Sequence, residues 1–277
     1  MRTNKGPHRT LDPQLRPARP ICPPVNPITA TFVSRLRSRD PAAWFELWET
    51  FAPILRAQLS RWGRGRIGQE TVKDLSQETM AALAGAIDKH DPARGARFST
   101  WLLAIARYTL SDEMDRRSAL KRGSGVRPQS LDEGLGAVDG GLRPEAAYER
   151  SVFDAKIEAA LRELEREAGF MEFSVFRMRV LEGRSGRETA ESLGVSEPTV
   201  SRRLAALRKQ LRAHLHEVFS KYSFTDQEFH ELERNGVELN PNKAEDGTFD
   251  EAIAEIYHRH GAAAEAETSE HGGCDHG

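Results

Sequence analysis

One stretch constrains this chain more than any other: residues 188–211, ETAESLGVSEPTVSRRLAALRKQL. Ala190 and Leu193 fall on one face of a first short helix. Val200, Leu204, Leu207 and Leu211 recur by threes and fours on a second, with Val195 between them. Gly194 stands where the chain must reverse, and glycine reaches positive φ without a Cβ penalty. Ser196 is an N-cap residue whose hydroxyl can accept from an orphan amide of the next turn. Pro198 falls in that first turn, where its missing N–H is not needed. The spacing predicts a helix-turn-helix. Thr199, Ser201, Arg202, Arg203, Arg208 and Lys209 line the opposite face of the second helix. Hydroxyls and cations there suit base edges near the N-terminal end and phosphates further along. Arg187, Glu197 and Pro198 complete the candidate DNA-binding set on this motif. A surface helical hairpin would share the apolar pattern. The alanine, the glycine four residues on and the valine six further favour nucleic-acid binding.

With 277 residues the chain has room for more than one domain. Its hydrophobic content of 38% is low against 30% charged residues, which suits small helical domains with polar unstructured segments. No alternating Val/Ile/Thr run speaks for a sheet, so the expected class is all-α. A net charge of −2 conceals a division. From Ser220 onward fourteen Asp/Glu face four Lys/Arg, a charge of −10, and the rest of the chain therefore carries +8. Such asymmetry suggests nucleic-acid contact in one part and an acidic tail in the other. Cys22 and Cys274 lie near opposite ends and offer neither a disulfide framework nor zinc spacing. No apolar run approaches the ~18–20 residues of a membrane span, and no secretory core is present near Met1. The expected location is the cytoplasm, without membrane insertion.

Residues 1–30 form a Pro- and Arg-rich stretch that reads as a disordered basic leader. A short helix follows at Thr31–Arg37, and Asp40-Pro41 caps and opens a longer one. Phe45, Trp48, Ile54, Leu55, Leu59 and Trp62 form its apolar stripe, read as core. The next helix, Gln69 to Ile87, turns Val72, Leu75, Met80 and Leu83 inward and leaves Lys73, Asp74, Gln77 and Glu78 on a polar side. A loop, DKHDPARGAR, leads to a third long helix from Phe98 to Arg117. Trp101, Leu102, Ile105, Ala106, Leu110 and Met114 are its apolar positions. Arg107, Arg116, Arg117, Lys121 and Arg122 make its far half basic, with Trp101 and Tyr108 among them. Cations interleaved with aromatics suit stacking on unpaired bases, and an amphipathic core helix with a charged surface fits equally.

The segment DLSQETMAALAGAIDKHDPARGARFSTWLLAIARYTLSDEMDRR resembles the second conserved region of bacterial RNA polymerase sigma factors of the sigma-70 superfamily. In the extracytoplasmic-function branch this region reads as a D-L-x-Q-E helix, a D-P-x-x-G loop, then F-x-x-W-L-x-x-I-A-R. Asp74, Leu75, Gln77, Glu78, Asp91, Pro92, Gly95, Phe98, Trp101, Leu102, Ile105, Ala106 and Arg107 match it. The helix-turn-helix similarly resembles the family's fourth region, and the two follow in the family's order. The resemblance implies an all-α sigma factor of two small helical domains: residues 31–122 as region 2, a flexible linker at 123–147, and residues 148–219 as region 4, followed by an acidic, partly disordered extension at 220–277. It implies that Asp74, Leu75, Gln77 and Glu78 bind the clamp helices of core RNA polymerase. It implies that Phe98, Ser99, Trp101, Arg107, Tyr108, Asp112, Arg116 and Arg117 receive a flipped base of the minus-ten element, where stacking and cationic groups recover the cost of unstacking. The apolar spacing of Phe98 and Trp101 also fits a wholly core role. Tyr108 stands where the family often has Asn. Gly186 and Thr189 replace the usual aromatic and aliphatic residues, so the first helix of the DNA-binding pair is expected to pack less tightly.

The linker is glycine-rich, and its Asp132, Glu133 and Asp139 either mimic RNA charge or belong to a plain tether. Beyond Phe219 the chain departs from the simple family pattern. Tyr222–Leu232 and Phe249–His258 read as short helices, with disorder from Ala262. His258, His260, His271, Cys274 and His276 have ligand chemistry but no tight zinc spacing, so no metal or cofactor is expected. The acidic tail is the right sign to fold back on the basic DNA-reading helix. The expected partners are core RNA polymerase and promoter DNA, with room for an anti-sigma factor, and the free chain is expected to be a monomer. The alternative is a helix-turn-helix regulator that never joins the polymerase, which would leave the Asp74 to Arg107 match without a use. An enzyme finds no support: there is no phosphate-cradling loop, nucleophile elbow or zinc-protease spacing, and His8, His90, His214, His216 and His230 are scattered.

Overall fold

A computed structural model describes residues 26–63, 65–89, 97–122, 146–235, 237 and 246–269. Among the described residues every regular element is helical. The chain begins its first helix, α1 (Pro27–Arg37), four residues before the expected start, because Asn26 accepts from the Ile28 amide at 2.9 Å and Pro27 supplies a preset φ. Residues 27–30 therefore do not belong to the leader, and Thr29 is fully buried. Asp40 opens α2 (Pro41–Gly63) by accepting from the Ala42 amide at 2.9 Å. The Arg35 guanidinium, 2.7 Å from the same carboxylate, holds Asp40 below the usual carboxylate range. Pro53 lies inside α2 but on its exposed side.

α3 (Gln69–Ala86) and α4 (Phe98–Arg122) pack on α2 and close the first helical group. Leu47, Leu55, Leu59, Leu83, Leu102 and Ile105 are sealed inside it. Thr79 and Thr109 satisfy one another between α3 and α4, hydroxyl to hydroxyl at 2.9 Å.

The second group opens with α5 (Ala146–Glu167), so residues 146 and 147 are helical rather than linker; the expected linker otherwise lies outside the described residues. α6 (Phe170–Phe176) follows and runs on into a π-helical turn, Arg177–Leu181. α7 (Gly186–Leu193) and α8 (Glu197–Lys221) form the predicted pair, and α5 runs along α8 as its main support. After α8 come two single turns, α9 (Asp226–Phe229) and α10 (Glu231–Arg234), and a long helix, α11 (Asp246–Ser269). α11 is helical to Ser269, past the disorder expected from Ala262. Its apolar Phe249, Ile253 and Ile256 bury against α5 and the π-helical turn, which is what holds it.

The two groups are packed together. α2 lies on α5 and α1 on α8, and their apolar residues form one continuous core. The join is also polar. The Thr29 hydroxyl bonds to the carbonyls of Ser220 and Ser223, and Lys221 reaches Glu46 at 2.6 Å. Lys156 of α5 is 2% exposed and pairs with Glu231 of α10 at 3.0 Å, its ammonium 5.1 Å from the Phe219 ring centre. Lys156→Ala strands a buried carboxylate and is expected to cost about 3–5 kcal/mol in urea unfolding, whereas Lys156→Met with Glu231→Leu recovers most of that loss.

Glu228 is nearly as deeply buried. One carboxylate oxygen accepts from the amides of Phe224 and Thr225 at 2.9 and 3.1 Å. Burial pushes its pKa up to about 7 against an ordinary 4.5, with Lys156 and Arg97 opposing. The folded state thus holds the proton more tightly than the unfolded chain does. The associated stability is present below 4.5 and is lost as pH rises through about 7. Thermal unfolding against pH should show this decline in the native chain and a flat profile in Glu228→Gln.

Candidate nucleic-acid interface

The helix-turn-helix is built from local chemistry. Ser185 caps α7: its hydroxyl accepts from the Glu188 amide at 3.1 Å, and the Glu188 carboxylate accepts from the Ser185 amide at 2.8 Å. This reciprocal capping box holds Glu188 below its usual range. The S-x-x-E pattern at 185–188 was readable, and it sets the start of α7 ahead of the motif as first delimited. Gly194 ends α7 at φ 64° and ψ 31°, the left-handed conformation its position called for. The Val195 amide returns to the Ala190 carbonyl at 3.0 Å. Thr189 corrects the expectation of loose packing. It is fully buried, and its hydroxyl is satisfied by the Ser185 carbonyl at 2.9 Å.

Ser196 does precede α8, but its hydroxyl meets the Thr199 hydroxyl at 2.9 Å and makes no cap bond to an amide. Val200, Leu204, Leu207 and Leu211 face the core as predicted. Glu197, Pro198, Ser201, Arg202 and Lys209 are exposed on the other side, with Thr199 and Arg203 half-buried. Arg203 lies 3.7 Å from Glu172, and Arg187 pairs with Glu191 at 2.9 Å on the open surface of α7. The N-terminal half of α8 thus presents hydroxyls and guanidinium groups outward, which is what major-groove reading requires.

Arg208 does not share that freedom. It bonds to Asp250 at 2.9 Å and to Asp246 at 3.2 Å, and neighbouring Arg212 bonds to Asp246 at 2.7 Å. Arg212 also lies over the Phe249 ring, 4.4 Å from its centre. The phosphate contact expected of Arg208 is therefore occupied by α11, because a partly desolvated guanidinium takes the nearest carboxylates. The tail does fold back on this helix, but at its middle and not at its reading end.

In the first group, Asp74, Gln77 and Glu78 lie together on the exposed side of α3. Leu75 does not: at 2% exposure it is a core residue. The expected minus-ten set divides in the same way. Phe98, Ser99 and Trp101 are buried, at 1%, 3% and 6% exposure. Phe98 packs edge-on against Phe51, and Trp101 against Phe98. Further along α4, Arg107 is exposed above the Trp62 ring at 5.3 Å, and Tyr108 is half-buried beside it. Arg116 pairs with Asp112 at 3.4 Å and Glu113 at 2.7 Å. Arg117 bonds Glu113 at 2.6 Å and the Thr71 hydroxyl at 2.8 Å. Trp62 is half-buried, packed against the core as its spacing read, with Arg107 over its ring.

Tyr148, Glu149 and Gln227, which hold the start of α4, escaped the sequence reading. Arg97 bonds to Glu149 at 2.9 Å, Ser99 donates to the same carboxylate at 3.4 Å, and the Tyr148 hydroxyl donates to the Ser99 carbonyl at 2.9 Å. Gln227 accepts from Arg97 at 3.1 Å. No local pattern connects Arg97 to partners 52 and 130 positions away. Cys22, His271, Cys274 and His276 lie outside the described residues; among the described residues no group of three His, Cys, Asp or Glu could hold a metal ion, and no helix is long and apolar enough to cross a membrane. His258 instead bonds to the Leu181 carbonyl at 2.6 Å.

Comparison with known proteins places two family matches on these two groups. Residues 47–119 match sigma-70 region 2, and residues 155–211 match sigma-70 region 4. Over 152 residues the chain is 30% identical to the ECF RNA polymerase sigma factor SigE of Mycolicibacterium smegmatis, covering 53% of this chain and 52% of that one. Over 62 residues it is 42% identical to the ECF RNA polymerase sigma factor SigC of Mycobacterium tuberculosis, covering 22% of this chain and 32% of that one. The chain thus spans about half the length of the first relative and about a third of the second.

The cap and the turn make a direct prediction for the reading unit. Ser185→Ala should cost about 1 kcal/mol. Gly194→Ala, forced to keep a left-handed φ, should cost about 1–2 kcal/mol. Urea unfolding of the purified chain measures both.

Proposed function

We propose that this chain, which belongs to the extracytoplasmic-function type of the sigma-70 family, binds core RNA polymerase, directs it to a two-part promoter and assists promoter opening. The observation that carries this reading is the ordered pair of family matches, with the polar side of α3 exposed in the first helical group and the start of α8 exposed in the second. In this reading residues 31–122 join the polymerase and read the minus-ten element, and residues 148–219 read the minus-thirty-five element. Asp74, Gln77 and Glu78 form the contact with the polymerase clamp, where three polar groups on one helix face can be matched by hydrogen bonds and charge. Arg187, Glu197, Pro198, Thr199, Ser201, Arg202, Arg203 and Lys209 meet duplex DNA. Arg107, Tyr108, Asp112, Arg116 and Arg117 lie along the path of the separated strand, with Trp62 beneath Arg107 as a stacking platform. The protein would work in the cytoplasm, where its polymerase is. It performs no bond chemistry; its effect is binding energy spent on a melted promoter.

Run-off transcription with purified core polymerase on a pool of host promoter fragments tests this. New start sites should appear with the protein. Asp74→Ala combined with Glu78→Ala should weaken core binding by about tenfold or more, as expected of groups central to an interface, and the start sites should fade with it. Promoter binding with no core binding at all would favour the stand-alone regulator.

A further inference from the structure

The exposed faces and the covered ones are not distributed evenly. The polar side of α3 and the reading end of α8 are open. The junction that leads into α4 is closed. Phe98 is covered by the rings of Tyr222 and Phe224, whose centres lie 5.8 and 5.2 Å away. Arg97 is held between Glu149 and Gln227. Ser99 is bonded through its side chain to Glu149 and through its carbonyl to Tyr148. Thus a cation, an aromatic ring and a hydroxyl, the three groups a flipped base would use, all face protein.

The covering segment is itself anchored on the second group. Glu231 pairs with Lys156 at 3.0 Å, and the Glu228 carboxylate fastens the turn at Phe224 and Thr225. Further on, Asp246 and Asp250 grip Arg208 and Arg212. Neither family match extends into this segment.

From this we infer that residues 222–234 are a built-in cover for the base-accepting junction Arg97–Phe98–Ser99, placed so that the free chain can dock on the polymerase and on duplex DNA but must lift the cover before it captures a base. The inference rests on the proposed sigma function. It places the masking by the extension at this junction, away from the DNA-reading helix onto which the tail's charge was expected to fold. The carboxylates of α11 on Arg208 and Arg212 secure the extension, and the aromatic pair Tyr222 and Phe224 does the covering.

Two measurements on the full chain test it. The first is the rate of open-complex formation at subsaturating DNA, comparing native protein with Phe224→Ala plus Gln227→Ala. If most molecules are closed, loosening the cover should raise that rate by about tenfold or more, because apparent affinity scales with the fraction that is competent. Core binding should not change. A variant that melts like the native protein and gains no rate overturns the inference. The second needs no variant: amide hydrogen exchange of residues 222–234 in the native protein, free and in a promoter complex with core polymerase. Protection when free that is lost in the open complex is the expected result. Protection that persists in a complex with an opened promoter overturns the cover while leaving the sigma reading intact. Failure to bind core polymerase overturns both.

Discussion

Tyr222 lies at the centre of a buried aromatic knot. Phe32 of α1, Phe51 of α2 and Phe98 of α4 surround its ring at 5.3, 4.9 and 5.8 Å, and Phe224 closes on Phe98 at 5.2 Å. Three of these pairs are edge-on and the Phe98–Tyr222 pair is tilted; aromatic pairs contribute about 0.5–1.5 kcal/mol each beyond the area they bury. The knot draws three helices of the first group onto the residue that follows α8. The surrounding polar contacts need that approach before they can form. The Thr29 hydroxyl can satisfy the carbonyls of Ser220 and Ser223 only when α1 lies against the end of α8. Lys221 and Glu46 meet for the same reason. The rings thus join the packing of α2 on α5 and of α1 on α8 in relating the two helical groups.

The reading unit is by contrast nearly self-sufficient. A capping box starts α7, a left-handed glycine ends it, and a row of leucines seats α8 on α5. These devices act within one or two turns and do not depend on how the groups are docked. Charge is then divided along α8. Its middle, at Arg208 and Arg212, is neutralised by Asp246 and Asp250, so the cations left free to meet phosphate lie mainly at its start and at Lys209. Partly buried ion pairs are screened less by salt than surface ones. Ionic strength should therefore weaken DNA contact before it loosens α11.

The two matched regions and the extension have different physical characters. In the regions, buried residues follow helical periods and the surface is mixed in charge. In the extension, two single-turn helices contribute buried carboxylates, Glu228 and Glu231, tied to amides and to an ammonium. The buried Lys156–Glu231 pair carries a large desolvation cost that only a complete set of partners offsets, whereas Glu228 meets its own burial by holding a proton below about pH 7.

Reading the residues in order was enough for everything that repeats within a turn or two. The all-α class, the helix-turn-helix with its glycine, the Asp40-Pro41 start and the inward leucines of α8 came from periods and caps, whose partners sit three or four residues away. The separation of a basic body from an acidic tail came from charge counts. Docking decided the remainder. Phe98 and Trp101 had side chains compatible with either a base or a core, and the burial of Phe98 under Tyr222 and Phe224 settled their place in this structure. Leu75 moved from the polymerase face to the core by one step around α3, and Arg208 from phosphate to carboxylate once α11 lay beside it. Contacts such as Thr29 with Ser220 or Arg97 with Gln227 span 191 and 130 residues. No spacing encodes them, because they exist only after hydrophobic burial has brought distant helices together, and hydrophobic burial has no direction of its own.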